Sequence, residues 1–207
     1  MGVDVFWWFC KVEDSEFSIV QSEFDQAMCG VPDLPEVPTF EPRPKNPPIP
    51  VTKDYAASVL GGMLMGGDLS SSFYHEPFDQ IGYRILKGEF PLTSESIVDV
   101  VIQSRVAPPA ILLMGIGRER FAQLPGCLGN MLVHSSEIEQ TLESVSNLLN
   151  VEWDTYFERA KLVLDYAGFD DHATKDVSAV LHAIPKALEK VRDEKASLLS
   201  VTSWGCP

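Results

Sequence analysis

The residues best suited to catalysis or metal binding are in the segment FDDHATKD, at positions 169–176. His172 directly follows Asp170 and Asp171, and a histidine beside carboxylates can act as an oriented base or a metal ligand. Acids are also favoured just before a helix, and a helix capped by Thr174 is predicted to follow. Both interpretations stay open: these three residues are candidate catalytic residues of a hydrolase or metal-dependent enzyme, or they belong to a helix cap.

Other catalytic and cofactor motifs do not appear in the sequence. There is no phosphate-binding loop, HExxH zinc motif, GxSxG elbow or EF-hand pattern. In ILLMGIGRER (111–120) a strand-like run leads into Gly115 and Gly117, but Arg120 occupies the place of the third glycine of a dinucleotide fingerprint. The four cysteines show no metal-type spacing. We therefore predict no cofactor and no metal.

Charge is the most pronounced global feature of the chain. The 207 residues carry 16 Lys and Arg against 30 Asp and Glu, a net charge of −14. This balance argues against binding to nucleic acid or to anionic lipid, both of which need a cationic surface. Residues 1–30 and 135–207 together carry −11 of that charge. If the terminal strands are neighbours, these two regions could share one acidic side.

The N-terminal part reads as a strand and a helix followed by an extended connector. Residues 3–12 are apolar on both alternating faces, which predicts a central strand covered on both sides. Helical spacing of apolar residues then predicts a helix over 16–29. Residues 31–50 contain eight of the fifteen prolines and are predicted to form an extended connector, with recognition by a proline-binding domain as the alternative.

The middle of the chain is predicted to contain short helices and loops. We expect a helix around 53–65, a loop over 68–80 and a short helix over 94–104. A short apolar segment, 110–114, follows the break at Pro108 and Pro109.

The C-terminal third has the clearest helical patterning. Ser136 and Glu139 are spaced as a capping box before a helix over 137–149. Amphipathic helices are predicted over 152–167 and 175–195, the latter kinked or restarted at Pro185. A β-type run, 197–204, should pair with the first strand or lie beside it.

Together these segments predict a single α+β domain over residues 1–207. Its small mixed sheet would contain the N- and C-terminal strands and would be packed with about six helices. The chain lacks a signal-peptide pattern and any apolar stretch long enough to span a membrane, so we expect a cytoplasmic protein.

Three segments resemble the YfbM-like family of bacterial proteins. They are the opening MGVDVFWWFCKVEDSEF (1–17), NMLVHSSEIEQTLESVSNLL (130–149) and VSAVLHAIPKALEKVRDEKASLLSVTSW (177–204). The match covers about half the chain, and the proline-rich segment at 31–50 departs from it. The resemblance implies a cytoplasmic bacterial α+β domain with no assigned activity, among families that often contain small interaction or toxin-neutralising proteins.

These observations favour a non-enzymatic module that binds a protein partner with a basic surface. An immunity-type protein that neutralises a basic toxin or effector is the leading hypothesis, with no nucleic-acid or membrane partner. Candidate contact residues are Asp14, Glu16, Glu137, Glu139 and Glu143. The alternatives are the small enzyme with a site near 170–172, and a DNA-mimic inhibitor whose carboxylates lie on one face at phosphate spacing.

Overall fold

A computed structural model describes residues 4–35, 72–104, 106–167 and 173–205. The predicted helix at 53–65, the connector beyond residue 35 and the candidate residues Asp170, Asp171 and His172 lie outside these ranges.

The described residues form a four-stranded antiparallel sheet and seven α-helices. The strands are β1 (Asp4–Val12), β2 (Ile97–Ser104), β3 (Met131–Val133) and β4 (Ser197–Trp204). The helices are α1 (Asp14–Met28), α2 (Glu76–Lys87), α3 (Pro108–Ile116), α4 (Arg118–Phe121), α5 (Ile138–Leu149), α6 (Trp153–Ala167) and α7 (Ala173–Glu194).

The sheet confirms the α+β class and the pairing of the terminal strands. Its order is β2-β1-β4-β3, so β1 and β4 are the two inner strands. Every described pair is antiparallel, and the expectation of a mixed sheet was wrong in this respect. β1 and β4 are buried along most of their length, as expected of inner strands with neighbours on both sides.

The alternating side chains of β1 divide the core into two parts. Val5, Trp7 and Phe9 pack against α3, α5, α6 and α7 on one face, whereas Trp8 and Cys10 pack against α1 and α2 on the other. Both Trp7 and Phe9 are fully buried. The sheet therefore lies between two helical layers, as the apolar residues on both faces of this strand predicted.

Most of residues 94–104 form a strand, and the predicted short helix there was wrong. Only Ser94–Ser96 is helical, as a single 3-10 turn in which the Thr93 hydroxyl accepts a hydrogen bond from the Glu95 amide. The rest is β2, which is rich in valine and isoleucine and pairs with β1. β-branched side chains favour strands, and the tertiary pairing here outweighs the local capping signal.

The apolar run after Pro108 is a helix, not the strand-like segment expected from its composition. All nine residues of α3 are buried, so no polar face exists to reveal a helical period. Pro108 and Pro109 occupy the first two helical positions, where their missing amide hydrogens break no intrahelical bond.

The helix starts at residues 76 and 138 also differ from the sequence predictions. α2 begins at Glu76, within the segment predicted as a loop. Residues Ser135–Glu137 form a 3-10 turn before α5, so Ser136 does not cap that helix as a capping box would. Instead, the Ser136 amide donates to the His134 ring nitrogen Nδ1 over 3.2 Å.

The last two helices and the final strand agree well with their predicted positions. α7 runs as one helix through Pro185, where the sequence suggested a kink or a restart. Among the described residues, no helix combines the length and apolar character that crossing a bilayer would require.

Candidate acidic groove between α1 and the start of α5

The structure brings two of the five candidate contact residues together. Asp14 starts α1, and its Oδ1 atom accepts a hydrogen bond from the Ser135 hydroxyl over 3.3 Å. Ser135 lies in the turn that contains Glu137. The start of α1 and the start of α5 are therefore neighbours, because β1 and β3 both pair with β4 and both end beside its first residues, Ser197 and Leu198.

The other three candidates have separate surroundings. The Glu16 carboxylate lies 3.4 Å from the Glu13 amide and completes a capping box at the start of α1. Glu139 is 3.9 Å from Arg192, an exposed ion pair of small energetic value. Glu143 is exposed on α5. These acids add to the negative field but do not line a common cavity.

A groove of about 310 Å³ lies between α1 and the segment from β3 to α5. One face of α1 forms one wall of the groove, and residues 132–137 form the other. The α1 residues of this wall are spaced four, seven and eight apart, so they share one face of the helix. Its lining residues are Phe17, Gln21, Phe24, Asp25, Leu132, His134, Ser136 and Glu137.

Three of the residues that line the groove are apolar, and the other five are polar or charged. Phe24 is buried, and Phe17 and Leu132 are half-buried. The His134 ring meets the Phe17 ring edge-on, with 4.6 Å between centroids. Because His134 Nδ1 accepts the Ser136 amide hydrogen, the proton of the neutral ring is assigned to Nε2. The His134 side chain is therefore held in place by a hydrogen bond within its own loop.

Two carboxylates line the groove without a cation beside them. Asp25 and Glu137 are exposed, and neither forms an ion pair with any described residue. Glu23, also on α1, is instead neutralised by Arg84 at 2.9 Å. A groove that combines apolar side chains with these two carboxylates is suited to arginine or lysine side chains, whose apolar stems and charged ends match it.

The structure does not add a catalytic centre to this groove. Among residues 4–35, 72–104, 106–167 and 173–205, no three His, Cys, Asp or Glu side chains are grouped so that they could hold a metal ion. The residues of the hypothesised enzyme site, Asp170, Asp171 and His172, lie outside the described ranges.

Sequence reasoning missed most of the lining residues. Phe17 and Phe24 were recognisable as members of the apolar stripe of α1, and Asp25 directly follows Phe24. Leu132 and His134 could not be assigned to the same site, because their approach to α1 depends on the strand order of the sheet.

Comparisons with protein-family models, with curated proteins and with solved structures find no match to this chain.

Proposed function

We propose that this protein binds a basic segment of another protein in the groove between α1 and residues 132–137. The observation that carries this proposal is the combination of the aromatic side chains of Phe17 and Phe24 with the carboxylates of Asp25 and Glu137, which form no ion pair with any described residue. The net charge of −14 would add long-range attraction for a cationic partner and speed its encounter.

The biological setting that we propose is neutralisation of a basic toxin or effector in the cytoplasm of a bacterium. An inhibitor of this kind needs fast association and a charge-matched surface, and it needs no catalytic group. The resemblance of the terminal segments to the YfbM-like family is compatible with this proposal.

The DNA-mimic alternative has less support. It requires an uninterrupted array of carboxylates, whereas Arg84 is paired with Glu23 and Lys11 with Glu13 and Glu194. These bases lie among the acids of α1 and its surroundings.

The test uses a fluorescent peptide of alternating arginine and leucine, followed by anisotropy at low salt. The groove variant is Asp25→Asn with Glu137→Gln, which keeps side-chain size and removes two charges. Its control is Glu119→Gln with Glu158→Gln, which removes two charges from exposed positions on α4 and α6. We expect the groove variant to lose affinity by about tenfold, as for loss of charge-assisted hydrogen bonds, and the control by less than about twofold.

An equal loss in both double variants would show that only net charge attracts the peptide, and the proposed site would be wrong. A second peptide, with citrulline in place of arginine, tests the charge of the ligand. The affinity of the citrulline peptide for the wild-type protein should be no higher than its affinity for the groove variant.

A further inference from the structure

A second cavity lies on the same helical layer, between α2 and the end of β4. Its volume is about 210 Å³. Four side chains of α2 line it together with the last residues of the strand: Asp79, Gln80, Tyr83, Leu86, Ser203, Trp204 and Gly205. None of these residues belongs to the acidic groove.

The close approach of α2 to β4 fixes the floor of this cavity. Gly82 is buried, and a Cβ atom there would lie 2.8 Å from the Ser203 Cβ, so only glycine permits this packing. The Ser203 hydroxyl accepts a hydrogen bond from the Trp8 indole over 2.7 Å. These contacts hold the end of β4 against α2, and the cavity is a consequence of this packing.

Among the described residues that line the cavity, Asp79 is the only charged one, and it is half-buried. Its Oδ1 atom accepts the Trp204 amide hydrogen over 2.6 Å, whereas its Oδ2 atom has no hydrogen-bond partner among the described residues. No described cation pairs with it. Burial raises the pKa of Asp79, with a further contribution from nearby Glu76. One carboxylate oxygen is therefore left for a ligand.

The remaining lining offers an apolar wall and neutral hydrogen-bonding groups, among them the buried Trp204 indole N–H, which has no partner among the described residues. Gln80 and Ser203 supply neutral oxygens, and Leu86 with the Tyr83 ring supplies apolar surface. The Lys87 ammonium lies 4.3 Å from the centre of the Tyr83 ring, so the alkyl chain of a ligand, and not its ammonium group, is expected beside Tyr83.

We propose that this cavity binds a primary alkylammonium ligand, a small organic amine or a lysine-like chain. The ammonium group would donate to Asp79 Oδ2 and to the neutral oxygens, and its alkyl chain would lie along Leu86 and Tyr83. A primary ammonium group fits better than a quaternary one, because the free carboxylate oxygen can accept a hydrogen bond from an N–H donor. This site is independent of the acidic groove.

The experiment is a two-dimensional amide and indole NMR titration of the full chain with n-butylammonium chloride. Tetramethylammonium chloride at the same ionic strength controls for cation attraction, and n-butanol controls for apolar contact. We expect saturable shifts confined to residues 79–86 and 203–205, with a dissociation constant on the order of 1–10 mM, as for a fragment-sized ligand. Both control compounds should bind at least about tenfold more weakly.

Two variants separate ligand binding from a structural role of Asp79. Asp79→Asn keeps an oxygen for the Trp204 amide and removes the charge, so it should fold normally and lose the butylammonium shifts. Glu158→Gln removes one exposed charge elsewhere and should bind like the wild type. Equal binding by Asp79→Asn, equal shifts with tetramethylammonium, or no saturable shift in the wild type would overturn the proposal. The groove variant Asp25→Asn with Glu137→Gln should retain butylammonium binding.

Discussion

Asp25 and Asp79 show how the surroundings of a carboxylate decide what it can do. Asp25 is exposed and lines the groove, so its charge acts over a distance and is screened by salt. Asp79 is half-buried, with one oxygen bound to the Trp204 amide. Its effect is short-ranged and depends on the direction of hydrogen bonds. The two acids therefore suit different ligands, an oriented basic chain and a small amine.

The pH dependence of stability should carry a signature of Asp79. Burial raises its pKa in the folded protein above the value of about 3.9 expected in the unfolded chain. Between these two values the folded state binds more protons, so the free energy of unfolding falls as pH rises, and it levels off above the folded pKa. The variant Asp79→Asn lacks this titration.

Urea unfolding of both proteins at several pH values between about 3 and 7 checks this prediction. The free energy of unfolding of the wild type, relative to Asp79→Asn, should decrease as pH rises and then become constant. A relative stability that increases with pH would mean that the folded protein favours the ionised carboxylate.

Gly115 is required by the packing of α3 against α6. A Cβ atom at this position would lie 2.1 Å from the Cε2 atom of the Tyr156 ring, which is fully buried. Gly115→Ala should therefore lower the free energy of unfolding by about 1–3 kcal/mol, in spite of the better helix propensity of alanine.

A double-mutant cycle with Tyr156→Leu tests the cause of that loss. The smaller side chain makes room for the added methyl group, so Gly115→Ala should cost less in the Tyr156→Leu background. Additive costs in urea unfolding would show that the glycine matters for another reason.

The outer strands of the sheet are protected by different devices. β2 has an irregular register opposite Phe9 and Cys10, and its Val98 carbonyl accepts a hydrogen bond from Lys190. β3 is only three residues long and leaves the end of β4 uncovered. There the Asn130 side chain accepts the Thr202 amide hydrogen at 2.8 Å, as Asp79 does for Trp204. Bulges, lysines and side-chain caps all hinder edge-to-edge pairing.

The wholly buried helix α3 should be the element most sensitive to truncation. Leu113 is fully buried in it, whereas Ile102 on β2 is 50% exposed. Leu113→Ala should cost about 2–5 kcal/mol, because it leaves a cavity in the larger core. Ile102→Ala, a truncation of similar size, should cost less than about 1 kcal/mol.

The midpoints of urea unfolding at constant slope measure this difference. Similar losses in the two variants would contradict the assignment of α3 to the centre of the core.

Elements with one polar face were predictable from the sequence, and elements without one were not. α1, α6 and α7 alternate buried and exposed residues at helical spacing. β1 carries apolar side chains on both of its alternating faces, which is typical of a strand covered on both sides. In α3 every residue is buried, so the sequence shows no alternation of apolar and polar residues at helical spacing. Before β2, the serines of the preceding turn resemble the N-terminal cap of a helix. The segment is recognised as a strand only from its pairing with β1.

At the scale of the whole molecule, the pairing of β1 with β4 unites the two acidic ends of the chain. The helix that follows β1 and the turn that follows β3 then form the two walls of the groove. The concentration of charge in residues 1–30 and 135–207 was visible in the sequence, and so were the acids Asp14 and Glu137. The apolar part of the groove beside them was not, because Phe17 and Leu132 meet only through the sheet order.

The most direct measurement is an NMR map of the arginine–leucine peptide bound to the full chain at low salt. We expect shifts confined to α1 residues 17–25 and to residues 132–137, which weaken as salt is added. Shifts spread over the acids of α5, α6 and α7, with the groove no more affected than they are, would contradict the proposed binding site.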